Sequence, residues 1–233
     1  MKLAVMQPYF FPYLGYFQLI KEVDKFVILD DVQYVRRGWI NKNRILLGNK
    51  PFKIGLPVKK DSREKNINKR YLTKDSEIFR NKLLVQLQHA YKRAPFFDQV
   101  FPVIARVISY KEMNLSIFNT LGLKELCKFL NITTPFYLSS EIRKEENFTG
   151  EDRMVNINEI MGSETYINPV GGIELYKRDS FLKKGIELKF LVTEPYSYQQ
   201  FNKEFIKDLS IIDILMFNSA ESTNSLLSKY QLE

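Results

Sequence analysis

Leu3-Ala-Val-Met6 is a short apolar run, and Phe26-Val-Ile-Leu29 is a second one that ends on two carboxylates, Asp30 and Asp31. Between them lie a loop of prolines and aromatics, Gln7-Pro-Tyr-Phe-Phe-Pro-Tyr13, and a helical stretch from about Leu14 to Glu22. This is a strand–loop–helix–strand unit with its polar groups gathered after the strands. A helix joining two such strands implies a parallel pair with a right-handed crossover. Ligands of open α/β sheets bind outside the carboxyl ends of the strands. The same unit therefore points to a fold and to the side of it that carries a site.

A chain of 233 residues holds one large domain or two small ones, and an apolar fraction of 45% is enough for a sizeable core. The 18 Phe and 13 Tyr fit a thick core or a stacking surface, the first being the commoner reason. The single Cys127 excludes an internal disulfide, and its neighbours Leu126, Phe129 and Leu130 make it a buried, inert thiol. The single His89 excludes a zinc site built from several His and Cys, and it leaves a Ser-His-Asp triad dependent on one mid-helix residue. No metal site is expected. The formal charge of +8 suits an anionic partner: a nucleotide, a sugar nucleotide, a phosphate-bearing head group or RNA. A solvated basic surface satisfies it equally. No secretory pattern is present, and no apolar run approaches the roughly 18 residues that span a bilayer. The expectation is a soluble, cytoplasmic protein without membrane contact.

Along the chain, Asn43–Leu47 and Phe52–Leu56 bracket Gly48-Asn49-Lys50 and predict a hairpin. Residues 59–74 are charge-rich, lack apolar periodicity and read as an exposed, mobile loop. Three helices follow: about Asp75–Tyr91 with Asp75 as N-cap, Phe97–Tyr110, and one capped by Asn114 with Leu115, Phe118, Leu121, Leu126 and Phe129 inward. The α/β rhythm then returns. Strands are expected at 135–138, 165–168 and 186–192, helices at 152–161 and 181–184, a helix capped by Ser210, and a terminal helix near 222–232. The fold class is α/β: a mostly parallel, Rossmann-like (nucleotidyltransferase-like) sheet with helices on both faces. One domain spans 1–233, with a helical subdomain at 75–130 inserted at one edge.

Four constellations carry chemistry. In the first, prolines stiffen the loop around Gln7, Tyr9 and Tyr13, and Gly15 lets backbone approach a ligand at a helix start, where free N–H groups favour an anion. Tyr13-Leu-Gly-Tyr16 is similar in layout to the His-x-Gly-His signature of nucleotidyltransferases, but tyrosines replace both histidines. An aromatic plug beneath the sheet is the other reading of this loop. In the second, Asp30 and Asp31 precede Gln33, Tyr34, Arg36, Arg37, Trp39, Asn41 and Arg44. Two adjacent carboxylates after an apolar strand hold Mg²⁺, act as a base, bind a sugar hydroxyl or pair with an Arg. Trp39 offers a stacking face and the arginines offer forked donors for phosphate. The third is Tyr166-Ile-Asn168-Pro-Val-Gly171-Gly172, leading to Tyr176. The fourth joins Tyr198-Gln-Gln-Phe-Asn202 to Asp213, whose charge in an apolar helix needs a partner such as Arg44, or a role.

Together these stretches resemble the WbqC-like family. The resemblance is carried in order by Met6-Gln-Pro-Tyr-Phe-Phe-Pro-Tyr-Leu-Gly-Tyr, Asp30-Asp-Val-Gln-Tyr, Gly38-Trp-Ile-Asn-Lys-Asn-Arg, Tyr166-Ile-Asn-Pro-Val-Gly-Gly, Leu175-Tyr and Leu209-Ser-Ile-Ile-Asp-Ile-Leu-Met-Phe-Asn. It implies an enzyme of bacterial surface-polysaccharide (O-antigen, lipopolysaccharide) biosynthesis, since some members are described as glycine or acyl transferases acting on amino sugars. The expected reaction transfers an aminoacyl or acyl group to the amino group of a nucleotide-linked sugar. Asp30 or Asp31 would take the ammonium proton, and Gln7, Asn41 and Asn168 would orient the reactants. Arg36, Arg37, Arg44 and Lys59 would meet the carrier's phosphates. The donor is aminoacyl-tRNA, a carrier thioester or an acyl-adenylate made from ATP with Mg²⁺. An ATP-using adenylyl-transfer enzyme and a non-catalytic RNA-binding scaffold remain as alternatives.

Overall fold

The computed structural model describes residues 1–145, 147–201 and 204–233. Strand β1 (Lys2–Met6), helix α1 (Leu14–Glu22) and strand β2 (Lys25–Ile28) form the expected opening unit, with Leu3 beside Lys25 in a parallel pair. An antiparallel hairpin follows outside the main sheet, β3 (Lys42–Leu47) and β4 (Lys50–Gly55). Its turn holds Gly48 at φ 60°, which strains any residue with a Cβ. Helices α2 (Ser76–Tyr91), α3 (Phe97–Ile108) and α4 (Leu115–Phe129) are inserted next. Then come β5 (Phe136–Leu138), α5 (Gly150–Met161), β6 (Thr165–Pro169), α6 (Arg178–Leu182) and β7 (Glu187–Thr193). Helices α7 (Ile211–Phe217) and α8 (Ala220–Leu226) and strand β8 (Tyr230–Leu232) follow.

Six strands make one sheet in the order β5-β2-β1-β6-β7-β8, parallel except for the last pair. Numbered within this sheet along the chain, the order is third, second, first, fourth, fifth, sixth. The winding reverses between β1 and β6, which is the Rossmann arrangement and the place where such sheets hold ligands. Successive side chains point to opposite faces. Ala4, Phe26, Ile28, Ile167 and Leu191 join a core shared with α1 and the inserted helices. Leu3, Val5, Val27, Tyr166, Leu188 and Phe190 join a second core with Met154 and Ile157 of α5 and Phe181 of α6. Cover on both faces explains why the strands read as unbroken apolar runs.

Two asparagines fasten the inserted helices in place. Asn114 caps α4 by accepting from the N–H groups of Ser116 at 3.0 Å and Ile117 at 3.3 Å, a contribution of about 1 kcal/mol. Asn119 is buried and donates from Nδ2 to the carbonyls of Pro8 at 2.9 Å and Ile40 at 2.6 Å. The loop after β1 is thereby moored to α4.

Several local expectations are corrected. Residues 59–74 are not a structureless loop: Ile67, Arg70 and Leu72 are buried, and isolated bridges pair Val58 with Leu72 and Tyr71 with Asn114. Their charged neighbours hide these anchors from any periodicity. Asp75 gives α2 no side-chain cap. Leu121 faces outward from α4. The terminal helix stops at Leu226, and Tyr230–Leu232 instead pair antiparallel with β7. That strand is too short for its alternation to compete with the helical spacing before it.

Candidate functional site

Gln7, Asp30 and Asn168 stand at the carboxyl ends of three neighbouring strands, β1, β2 and β6. A cleft of about 510 Å³ opens beside this rim where the winding reverses, and Gln7, Asp30 and Asn168 are not among its walls. Its walls are the start of α1 (Tyr13, Gly15), the turn after β6 (Val170, Gly171), the end of β7 (Thr193, Glu194) and Tyr196, Lys207 and Asp208. A Cβ on Gly15 would lie 2.8 Å from Tyr13 Cε2 and 2.9 Å from Thr193 Oγ1. Thr193 is fixed, because its hydroxyl donates to Gln18 Oε1 at 2.6 Å. Gln18 is fully buried and donates in turn to the carbonyls of Leu226 at 2.9 Å and Lys229 at 3.0 Å. Glycine at this position is what lets the Tyr13 ring lie against the helix start.

Burial pushes the Tyr13 hydroxyl up to about 12, with Tyr9 and Asp208 adding to it. Burial does the same to Tyr196, also to about 12, with Asp208 and Asp213 adding. Both phenols stay protonated at neutral pH and present O–H donors to a ligand.

A smaller hollow of about 210 Å³ shares Tyr13 and Asp208 with the cleft and adds Tyr9, Trp39, Asn43 and Arg44. The Arg44 guanidinium lies 5.3 Å from the Trp39 ring centroid, within cation–π range. Arg44 Nη2 donates to the Asp208 carbonyl at 3.1 Å. Buried Ser210 ties the segment behind Asp208 in place, its N–H donating to the Arg44 carbonyl at 2.8 Å and its hydroxyl to the Phe11 carbonyl at 2.7 Å. Phe11 sits at φ 43°, a strained conformation for a bulky residue that persists only when its surroundings impose it.

The other sequence-derived residues lie as follows. Asp30 is buried and accepts from Ser140, from its N–H at 2.9 Å and its hydroxyl at 2.7 Å. Asp31 lies 2.6 Å from Lys144 Nζ and 3.8 Å from Arg153 Nη1, in a separate groove of about 470 Å³. Burial opposes its charge, but hydrogen bonding from Lys144 and Ser139, with the charges of Lys144 and Arg153, outweighs burial and holds the carboxyl below the usual range. Gln7 contributes its carbonyl, which accepts the Tyr16 hydroxyl at 2.8 Å. Asn168 donates to the Tyr166 hydroxyl at 2.6 Å, and its Oδ1 fills the space where a Gly172 Cβ would stand. Tyr176 packs edge-on to Tyr166. Tyr34 donates to Asn41 Oδ1 at 2.9 Å, and Asn41 donates to the Leu56 carbonyl at 2.8 Å, which ties this loop to the hairpin. Gln33 donates to the Arg63 carbonyl at 3.0 Å, and Arg36, Arg37 and Lys59 are exposed.

Asp213 does not pair with Arg44. It is fully buried and accepts from Tyr91 at 2.7 Å, Tyr198 at 2.6 Å and Gln200 at 2.7 Å. Burial raises its carboxyl above the usual range despite these donors. Asn202 lies outside the described residues. Of the sequence-derived residues, Tyr9, Tyr13, Gly15, Trp39, Arg44 and Gly171 line the two cavities. Asn43, Thr193, Glu194, Tyr196, Lys207 and Asp208 also line them and were not anticipated. Among the described residues no three His, Cys, Asp or Glu side chains converge as a metal site, and no helix is long and apolar enough to cross a membrane.

The model of the WbqC-like protein family matches residues 7–225. The chain belongs to the WbqC-like family. The matched span takes in the aromatic loop, both glycines after Asn168, and Asp208. This WbqC-like chain is similar to the uncharacterized protein Rv1507c of Mycobacterium tuberculosis (strain ATCC 25618 / H37Rv), 27% identical over 227 residues that cover 97% of each chain. No solved structure matches it.

Proposed function

We propose that this WbqC-like protein is a group-transfer enzyme of bacterial surface-polysaccharide assembly. It joins a glycyl, other aminoacyl or acyl group to the amino group of a nucleotide-linked amino sugar. The observation that carries this reading is the cleft at the reversal point between β1 and β6, with a smaller aromatic hollow against it. The larger cleft suits the nucleotide carrier. The start of α1, which no side chain caps, lines it, and Lys207 adds a positive charge for phosphate.

The chemistry asked of the site is amide formation. The amine nitrogen attacks an activated carbonyl carbon and a C–N bond forms. The bond from that carbon to the donor's oxygen or sulfur breaks, the leaving atom keeps the electron pair, and the amine proton passes to a base. The donor is an aminoacyl-tRNA, a thioester or an acyl-adenylate, because a free carboxylate is too poor an electrophile. Glu194 and Asp208 are the carboxylates on the cleft walls. Asp30 and Asp31, engaged by Ser140 and by Lys144 with Arg153, serve in this reading to shape the rim. Positioning supplies most of the rate.

Adenylyl transfer through a His-x-Gly-His mechanism is disfavoured. Tyr16 is buried against the Gln7 carbonyl, so only Tyr13 of that pair reaches the cleft, and it carries no imidazole. Incubating the purified protein with nucleoside-diphosphate amino sugars plus ATP, glycine and charged tRNA, and reading mass shifts, tests the proposal. A sugar nucleotide heavier by one acylated group supports it. Salt-steep RNA binding without turnover of any sugar nucleotide favours a scaffold instead.

A further inference from the structure

The smaller hollow is built for a different guest from the cleft beside it. At about 210 Å³ it is below the roughly 300–1,000 Å³ of sites that enclose drug-sized ligands, so it takes one ring and not a nucleotide. Tyr9, Tyr13 and Trp39 give it aromatic walls, which suit the C–H faces of a sugar ring but read no charge. Of its two charged residues, Arg44 is engaged by the Trp39 ring face and the Asp208 carbonyl, which leaves the Asp208 carboxylate to read charge. Asp208 is exposed on the wall common to both cavities. Its backbone stands at φ 59°, a conformation Asp and Asn tolerate better than other side chains. Arg44 grips its carbonyl at 3.1 Å, and Ser210 anchors the chain two residues on to the Phe11 carbonyl at 2.7 Å. The backbone that carries this carboxylate is thereby held on the shared wall.

Resting on the transfer reading above, we infer that this hollow is the amino-sugar subsite and that the Asp208 carboxylate receives the sugar's ammonium. The carrier then lies in the larger cleft, across the boundary that Tyr13 and Asp208 form. The site selects an amine over its N-acylated form, which is bulkier and has no charge to offer Asp208. The same difference expels the product once the amide has formed.

Trp39 is the only tryptophan in the chain and lines this hollow, so its emission reports the subsite alone. The test titrates the full chain and Asp208→Asn with three probes: a nucleoside-diphosphate amino sugar, its N-acetyl counterpart and the nucleoside diphosphate. Heat and Trp39 emission are read together. In the wild type the amino sugar should bind at least about 10-fold more tightly than the N-acetyl form and shift Trp39 emission. Asp208→Asn should bring the two within about 2-fold. If the variant keeps the amine preference, or the amino sugar binds without moving Trp39 emission, the subsite assignment falls and the transfer reading stands. If the wild type binds none of the three probes, both fall.

Discussion

Asn43 Nδ2 donates to the Phe11 carbonyl oxygen at 2.7 Å, joining strand β3 to the aromatic loop. The same side chain donates to the Phe10 carbonyl at 3.1 Å and accepts from the Arg44 N–H at 2.8 Å. It is buried, so water cannot replace it. Asn43→Ala should cost about 2–3 kcal/mol, because buried carbonyls lose their donor. Differential scanning calorimetry should show a Tm lower by roughly 5–10 °C for a chain this size. A change under about 1 °C would mean that the Phe11 conformation is held by something else.

Gly15 is required by the position of the Tyr13 ring and not by backbone conformation. In Gly15→Ala the new methyl displaces that ring, since Thr193 is tied to Gln18. Affinity for a sugar nucleotide should fall at least about 10-fold, roughly 1.4 kcal/mol, while Tm changes by only a few degrees. Unaltered affinity would remove Tyr13 from the binding wall.

The parallel part of the sheet was legible because strands covered on both faces must be apolar throughout, and Gly, Pro and capping residues punctuate them. Hence β1, α1, β2 and the β3–β4 hairpin were read from the sequence to within two residues at each end. The site was legible only in part. The aromatic loop announced itself through its prolines, and Gly15 through its place at a helix start. Asp208 did not, since nothing local says that its segment returns to Phe11 and Arg44 from far along the chain. Asp30 and Asp31 were conspicuous as a pair, yet their roles depend on Ser140, Lys144 and Arg153, which sit past the inserted helices in sequence.

Asp31 and Lys144 are both largely buried, with side chains 16% and 7% exposed. Removing one leaves the other charge uncompensated, so Asp31→Ala should destabilise by roughly 3 kcal/mol. The Asp31 carboxyl is lowered in the folded state. Its contribution is therefore present above about pH 4 and is lost as pH falls through the lowered folded value. The stability gap between wild type and variant, measured by urea unfolding, should shrink on acidification. A gap that does not vary with pH would argue against the ion pair.

Asp213 behaves in the opposite sense. Its carboxyl is raised in the folded state, so between about pH 4 and that higher value the folded protein binds more protons than the unfolded chain. This group's effect on stability therefore worsens as pH rises through that window. Subtracting Asp213→Asn from wild type across a pH series should show a falling difference. A rising difference would mean that the three donors Tyr91, Tyr198 and Gln200 overcome burial.

The most direct test of the whole account is amide and methyl NMR of the protein titrated with a nucleoside-diphosphate amino sugar. Saturable shifts centred on Tyr13, Gly15, Gly171 and Thr193 are the predicted result. Shifts confined to the groove of Asp31, Lys144 and Arg153, or no saturation, would contradict it.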